Sequence, residues 1–105
     1  MDVIDRLLVA LNEHDLEGFV ACYAEDGKIE NGYDKVAAQG REELRERFGP
    51  MFAAYPELHV EAVSRTVVGD FVVQEEKVTG RGEHERHVAV YLIEDELIKR
   101  ERLFA

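Results

Sequence analysis

Residues 58–104 read LHVEAVSRTVVGDFVVQEEKVTGRGEHERHVAVYLIEDELIKRERLF, and this stretch decides the fold. Apolar and polar residues alternate through much of it, which is the two-residue period of a β-strand. Turn-forming residues interrupt the alternation at Gly69-Asp70, at residues 80–83 and at residues 94–96. The predicted strands are Leu58–Val68, Phe71–Thr79, His87–Ile93 and Leu97–Phe104. Because short turns join them, we expect an antiparallel meander.

The residues before Pro56 follow the helical period instead. Helices are predicted over residues 2–13, 15–23 and 41–55, the second capped by the Asp15 carboxylate. Gly49-Pro50 inside the third predicts a kink or break, since proline removes a helical hydrogen bond. A short strand at Lys28–Asn31, followed by a loop over residues 32–40, lies at one edge of the sheet. Helices followed by strands define the α+β class, with three N-terminal helices packed on one face of a curved antiparallel sheet.

The length and net charge of the chain limit the number of domains and the kinds of partner it can have. The 105 residues suit one domain, and 46% of them are hydrophobic, which is enough for a modest core. With 13 basic and 23 acidic residues the net charge is −10, which argues against partners that are nucleic acids or anionic membranes. Cys22 has no second cysteine to pair with, and the chain shows neither a signal peptide nor an 18-residue apolar run. We therefore expect a single cytoplasmic domain.

The third long strand carries apolar residues on both faces. Val88, Val90 and Leu92 alternate with Ala89, Tyr91 and Ile93. A sheet with one face in water would alternate more strictly between apolar and polar residues. We therefore expect the helices to cover one face and a second copy of the chain to cover the other, as a homodimer.

Four local strings resemble one superfamily. They are LNEHDLEGF at Leu11–Phe19, CYAED at Cys22–Asp26, GREEL at Gly40–Leu44 and DELIKRERLF at Asp95–Phe104, where Glu96 replaces the usual turn glycine. Their order is similar to that of the nuclear transport factor 2-like superfamily, and within it of the SnoaL-like and ketosteroid-isomerase-like proteins. The resemblance implies a cone-shaped, cystatin-like fold with a deep pocket, often dimeric, whose members include both enzymes and binding proteins.

The resemblance to the isomerases does not extend to their catalytic residues. Their phenolic donor, base and protonated acid would fall at Leu7, Asn31 and Ala89, and none of these three can perform the proton transfer. A true ketosteroid isomerase is therefore excluded. Epoxide hydrolases of the same fold match at Asn31, and Glu76 falls near one of their acids. Arg102, however, stands where their other acid would be.

The register of the family predicts the pocket. It turns Gln74 and Glu76 inward from one strand, and it turns Arg100, Arg102 and Phe104 inward from the last strand. The predicted walls and hydrogen-bonding groups are Leu7, Leu11, Tyr23, Phe48, Asn31 and Tyr91. In this interpretation Glu76 is the base, Arg102 and Arg100 orient charge, and Asn31 and Tyr91 hydrogen-bond the ligand. A purely structural ion pair between Glu76 and an arginine is the alternative.

Two functions remain open. One is an acid–base enzyme without a cofactor, of the isomerase, cyclase, dehydratase or epoxide-hydrolase type, acting on a small apolar molecule. The other is a dimeric domain that binds a small hydrophobic or amphipathic ligand without chemistry. No metal site is expected, because His84 and His87 would face opposite sides of a strand.

Overall fold

The computed structural model describes residues 1–32, 35–82 and 85–105, which contain three helices and six strands. The helices are α1 (Val3–Glu13), α2 (Leu16–Ala21) and α3 (Gly40–Ala54). The strands are β1 (Tyr23–Asn31), β2 (Lys35–Gln39), β3 (His59–Val68), β4 (Phe71–Thr79), β5 (Glu85–Glu94) and β6 (Leu97–Phe104). The described residues do not include 33–34, which belong to the predicted loop. They also do not include Glu83, which belongs to the predicted turn, or His84, which was considered as a metal ligand.

The six described strands form one curved, open sheet in the order β2-β1-β6-β5-β4-β3. Strands β3 to β6 each pair antiparallel with the next, which confirms the predicted meander. Strand β1 lies beside β6 and runs parallel to it, so the sheet is mixed rather than wholly antiparallel. Helix α1 contacts β3, and α3 contacts β1 and β2. This arrangement confirms the α+β class and the packing of three helices on a curved sheet.

Two details of the N-terminal half were predicted wrongly. Strand β1 begins at Tyr23, well before the predicted Lys28, because Tyr23 is fully buried and its neighbour Cys22 ends α2. The strand at the sheet edge is β2, which forms within the predicted loop. Its five residues include one buried apolar side chain, Ala38, so they carry little strand periodicity.

The helix ends follow the capping residues. The Asp2 carboxylate accepts the Asp5 backbone N–H at 2.9 Å, and Asp15 accepts that of Gly18 at 3.0 Å. Of the kink or break predicted at Pro50, the break is absent: helix α3 continues through Pro50, and residues on both sides of it, such as Leu44 and Phe52, are buried in the core. No helix in the described ranges is both long enough and apolar enough to cross a membrane.

A bulge in β6 decides which of its side chains face the helices. Ile93 of β5 pairs with Ile98, but the preceding residue Leu92 pairs with Arg100, so Lys99 is an extra residue in the ladder. Beyond the bulge Glu101 turns inward, where it contacts the buried Tyr23 hydroxyl. The predicted inward orientation of Arg100 and Arg102 is therefore wrong, since a shift of one residue exchanges the two faces of a strand.

Gly80 directly follows β4 and packs against the backbone of Glu57, which lies just before β3. This contact can be tested by mutation. The Gly80 backbone has φ +87°, and an added Cβ would overlap the carbonyl oxygen of Glu57. Gly80→Ala should lower the free energy of unfolding by at least about 2 kcal/mol, through positive-φ strain and this overlap. Gly69→Ala is the control, because Gly69 also has positive φ but an added Cβ meets nothing within 4 Å. Urea denaturation measures both, and equal losses for the two variants would contradict the packing.

Candidate functional site

A chamber of about 90 Å³ lies between the helices and the concave face of the sheet. Most of its wall is apolar, and six polar side chains face it: Tyr23, Glu76, Arg81, His87, Tyr91 and Glu101. Six of the predicted site residues line it, namely Leu7, Leu11, Tyr23, Phe48, Glu76 and Tyr91. These six are the residues, among those that the family's register predicts for the pocket, that the structure brings together at the chamber.

Glu76 is buried in the wall and accepts three hydrogen bonds. His87 Nε2 lies 2.8 Å from its Oε1, and Tyr91 Oη and Gln74 Nε2 donate to its Oε2 at 2.5 and 2.7 Å. Burial raises the pKa of this carboxyl, but the hydrogen bonds from His87, Tyr91 and Gln74 outweigh burial and lower the pKa below its usual value. Glu76 is thus an ionised carboxylate and a weak base.

His87 reaches Glu76 because the two residues are direct partners in the ladder between β4 and β5. Its side chain is 17% exposed and lines both the chamber and its outer mouth. Because an ionised Glu76 can only accept, Nε2 of His87 carries the hydrogen of this contact. In the sequence, His87 suggested only the role of a metal ligand, through its spacing from His84. Counting residues outward from the β4–β5 turn would have paired it with Glu76.

Glu101 is a second buried carboxyl in the same chamber. The Tyr23 hydroxyl donates to its Oε1 at 2.5 Å. Burial is the main cause that raises the pKa of Glu101 to about 7; the charge of Glu76 adds to the rise, and the hydrogen bond from Tyr23 partly opposes it. Burial also raises the pKa of Tyr23 and of Tyr91 well above 10, so both phenols remain hydrogen-bond donors.

The arginines predicted beside Glu76 lie on the outer face of the sheet instead. There they surround Glu30, with Arg102 Nη2 3.1 Å and Arg100 Nε 3.2 Å from its two carboxylate oxygens. Lys28 Nζ lies 4.0 Å from the same carboxylate. The bulge at Lys99 is the physical reason, and the expected meeting of Glu76 with Arg100 or Arg102 is wrong.

The three remaining predicted residues surround the chamber rather than line it. Gln74 is fully buried behind Glu76, and its amide oxygen accepts a 2.8 Å hydrogen bond from Arg65 Nε. Asn31 and Phe104 lie outside, where both line an open cavity of about 820 Å³ at the mouth. Among the described residues, no three His, Cys, Asp or Glu side chains are arranged to hold a metal ion.

Comparison with known proteins identifies the family. The family model of the SnoaL-like domain matches residues 4–101, so this chain belongs to the SnoaL-like domain family. No curated protein matches the sequence significantly. An uncharacterised cystatin-fold protein from Novosphingobium aromaticivorans is similar over 100% of this chain and 99% of its own, with 26% identity and a TM-score of 0.91.

Two further solved structures share the fold at lower identity. A candidate polyketide cyclase from Sinorhizobium meliloti aligns with 96% of this chain and 92% of its own, at 21% identity and a TM-score of 0.83. An LEH-like epoxide hydrolase from M. tuberculosis aligns with 97% of this chain and 78% of its own, at 17% identity and a TM-score of 0.80. At these identities the likeness defines the fold, and the resemblance to the nuclear transport factor 2-like superfamily is confirmed.

The raised pKa of Glu101 predicts a pH-dependent stability. The folded state holds this proton with a pKa of about 7, against 4.5 for an ordinary glutamate, so its stabilisation is complete below pH 4.5 and is lost as pH rises through 7. At 1.36 kcal/mol per unit the loss amounts to about 3 kcal/mol. Glu101→Gln should abolish this decline, measured by urea denaturation at several pH values between 4 and 8. The exposed Glu61→Gln variant is the control, and a decline of the same size in Glu101→Gln would contradict the assignment.

Proposed function

We propose that this protein is an acid–base enzyme that needs no cofactor and acts on a small, mostly apolar molecule in the chamber. One observation carries the proposal: two carboxyls share an apolar chamber, and their environments move their pKa values in opposite directions. Glu76 is kept ionised by its donors, while Glu101 is kept neutral up to about pH 7 by burial. Such divergence is how active sites obtain an acid and a base from similar side chains.

His87 is the proposed proton acceptor. Because Nε2 donates to Glu76, the neutral ring keeps its lone pair on Nδ1, where it can take a proton from the substrate. The ionised Glu76 then stabilises the imidazolium that forms and keeps the ring oriented. Glu76, which we predicted to be the base itself, becomes in this proposal the residue that positions His87.

Glu101 is the proposed proton donor. A neutral carboxyl beside an apolar wall can protonate or hydrogen-bond a substrate oxygen as negative charge develops on it. Tyr23 fixes one of its oxygens by the 2.5 Å hydrogen bond. Together His87 and Glu101 suit reactions in which one proton leaves carbon or oxygen and another reaches oxygen, as in isomerisation, cyclisation, dehydration or epoxide opening.

A binding domain without chemistry is the second candidate. The observation in its favour is the saturation of Glu76, both of whose oxygens already accept hydrogen bonds from His87, Tyr91 and Gln74. A carboxylate in such a network can serve to order the core rather than to catalyse. This candidate predicts ligand binding without turnover.

We also propose that the protein works as a homodimer through the outer face of the sheet. Apolar side chains lie next to one another there by strand register: Val73 pairs with Val90, Phe71 with Leu92, and Val68 with Phe71. Val68, Phe71 and Val73 are 64%, 47% and 37% exposed, which is unusual for a continuous patch on a chain with net charge −10. Such a patch meets a copy of itself across a two-fold axis.

Solvent-proton exchange tests the catalytic proposal. The protein in D₂O, mixed with single-ring enones, 1,3-diketones or epoxides, should accelerate deuterium incorporation or ring opening measured by NMR. His87→Gln and Glu101→Gln should each lower the rate about 10²- to 10⁴-fold. The exposed Glu61→Gln variant should match wild type. Binding of a compound with no acceleration over protein-free buffer would support the binding domain instead.

Sedimentation velocity at micromolar concentration tests the dimer. Wild type should sediment as a dimer, and Val73→Glu should sediment as a monomer because it places a charge in the apolar patch. Val9→Glu is the matched control, since Val9 is 42% exposed on α1, away from the sheet face. A wild-type monomer would contradict the proposal, and so would dissociation by both variants alike.

A further inference from the structure

A further cavity, of about 370 Å³ and distinct from the open cavity beside Phe104, adjoins the chamber and opens outward, and we call it the vestibule. Its wall includes Phe48, Met51, Arg81 and Leu103, and these four residues also line the chamber. The two spaces therefore meet along a common wall. A molecule longer than the 90 Å³ chamber would extend into the vestibule.

The polar groups of the vestibule are all hydrogen-bond donors or neutral amides. Arg47, Arg81 and Asn31 supply them, and no carboxylate is among the described residues that line the cavity. This composition is unexpected on a chain with 23 acidic and 13 basic residues. Two guanidinium groups at the mouth of an apolar chamber make a suitable site for an anion.

Arg81 has a donor to spare. Its Nε and Nη2 donate to the two oxygens of Glu85 at 2.6 and 2.9 Å, while Nη1 lies 3.3 Å from the Met51 sulfur. A thioether is a weak acceptor, so a ligand oxygen in its place would form a stronger, charge-assisted hydrogen bond.

Arg47 is exposed on α3, and no described carboxylate lies within ion-pair distance of it. The two arginines of the vestibule carry +2 together, and the Glu85 carboxylate that pairs with Arg81 from outside the cavity reduces this sum to +1. A singly charged carboxylate matches this charge, whereas a dianionic phosphate would leave an excess negative charge beside Glu85.

We propose that the vestibule binds the carboxylate of a small amphipathic acid whose apolar end occupies the chamber. Arg47 and Nη1 of Arg81 bind the carboxylate, which replaces the weakly accepting Met51 sulfur, and the Asn31 amide completes the site. The apolar end then lies against the wall that carries His87 and Glu101. The inference rests on the proposed function in treating the chamber as the place of reaction, and it names the substrate class as carboxylic acids.

Isothermal titration calorimetry with hexanoate and its neutral isostere hexanamide tests the vestibule. Hexanoate should bind at least about tenfold more tightly than hexanamide, and added salt should reduce the difference. Arg47→Gln and Arg81→Gln should each weaken hexanoate about tenfold and leave hexanamide unchanged, with Arg81→Lys retaining part of the affinity. Arg86→Gln, whose arginine pairs with Glu75 on the outer face, should match wild type. Thermal melts establish that each variant is folded.

The outcomes separate this inference from the proposed function. Equal affinities for hexanoate and hexanamide, or no binding of hexanoate at millimolar concentration, would overturn the proposal that the vestibule binds a carboxylate. Tighter binding of hexyl phosphate than of hexanoate would overturn the assignment to carboxylates. If hexanoate binds in a way that depends on the arginines and no compound shows proton exchange, the carboxylate site in the vestibule would stand and the enzyme proposal would be wrong. If the protein catalyses proton exchange and neither arginine variant changes the KM, the enzyme proposal would stand and the vestibule proposal would be wrong.

Discussion

One extra residue in the ladder between β5 and β6, Lys99, determines the chemistry of the interior. It turns Glu101 toward the helices and sends Arg100 and Arg102 to the outer face, where they neutralise Glu30. With a regular ladder the chamber would hold two guanidinium groups beside Glu76. With the bulge it holds two carboxyls, and the protein must place the second one without a counter-cation.

Burial of Glu101 is tolerated because the group need not be charged. A buried carboxylate with no cationic partner is costly, so the proton is retained and the pKa rises to about 7. Glu76 shows the opposite solution, since it keeps its charge by accepting three hydrogen bonds. The two solutions depend on each other, because the charge kept on Glu76 helps to keep Glu101 neutral. A structure selected for stability alone would more simply place apolar side chains at both positions.

Much of the fold could be predicted from the sequence. The bounds of β4 agree with the structure, as does the meander, because alternating residues and short turns are local signals. The wall residues Leu7, Leu11 and Phe48 followed from the register that the family resemblance implies. Strand β2 was missed because an edge strand with one buried side chain has almost no pattern. The polar site was partly wrong because a bulge leaves no mark in the alternation, yet it reverses every side chain beyond it.

Glu76 and Glu101 should titrate far apart within one chamber, and a carbon-detected NMR titration of the glutamate side-chain carboxyls measures this directly. We expect one glutamate with a pKa of about 7, absent in Glu101→Gln. In Glu76→Gln the same resonance should titrate at lower pH, because the charge of Glu76 no longer opposes ionisation of Glu101. If every glutamate titrated below pH 5, Glu101 would not be a neutral acid in the chamber, and the proposed roles of Glu101 and Glu76 would be wrong.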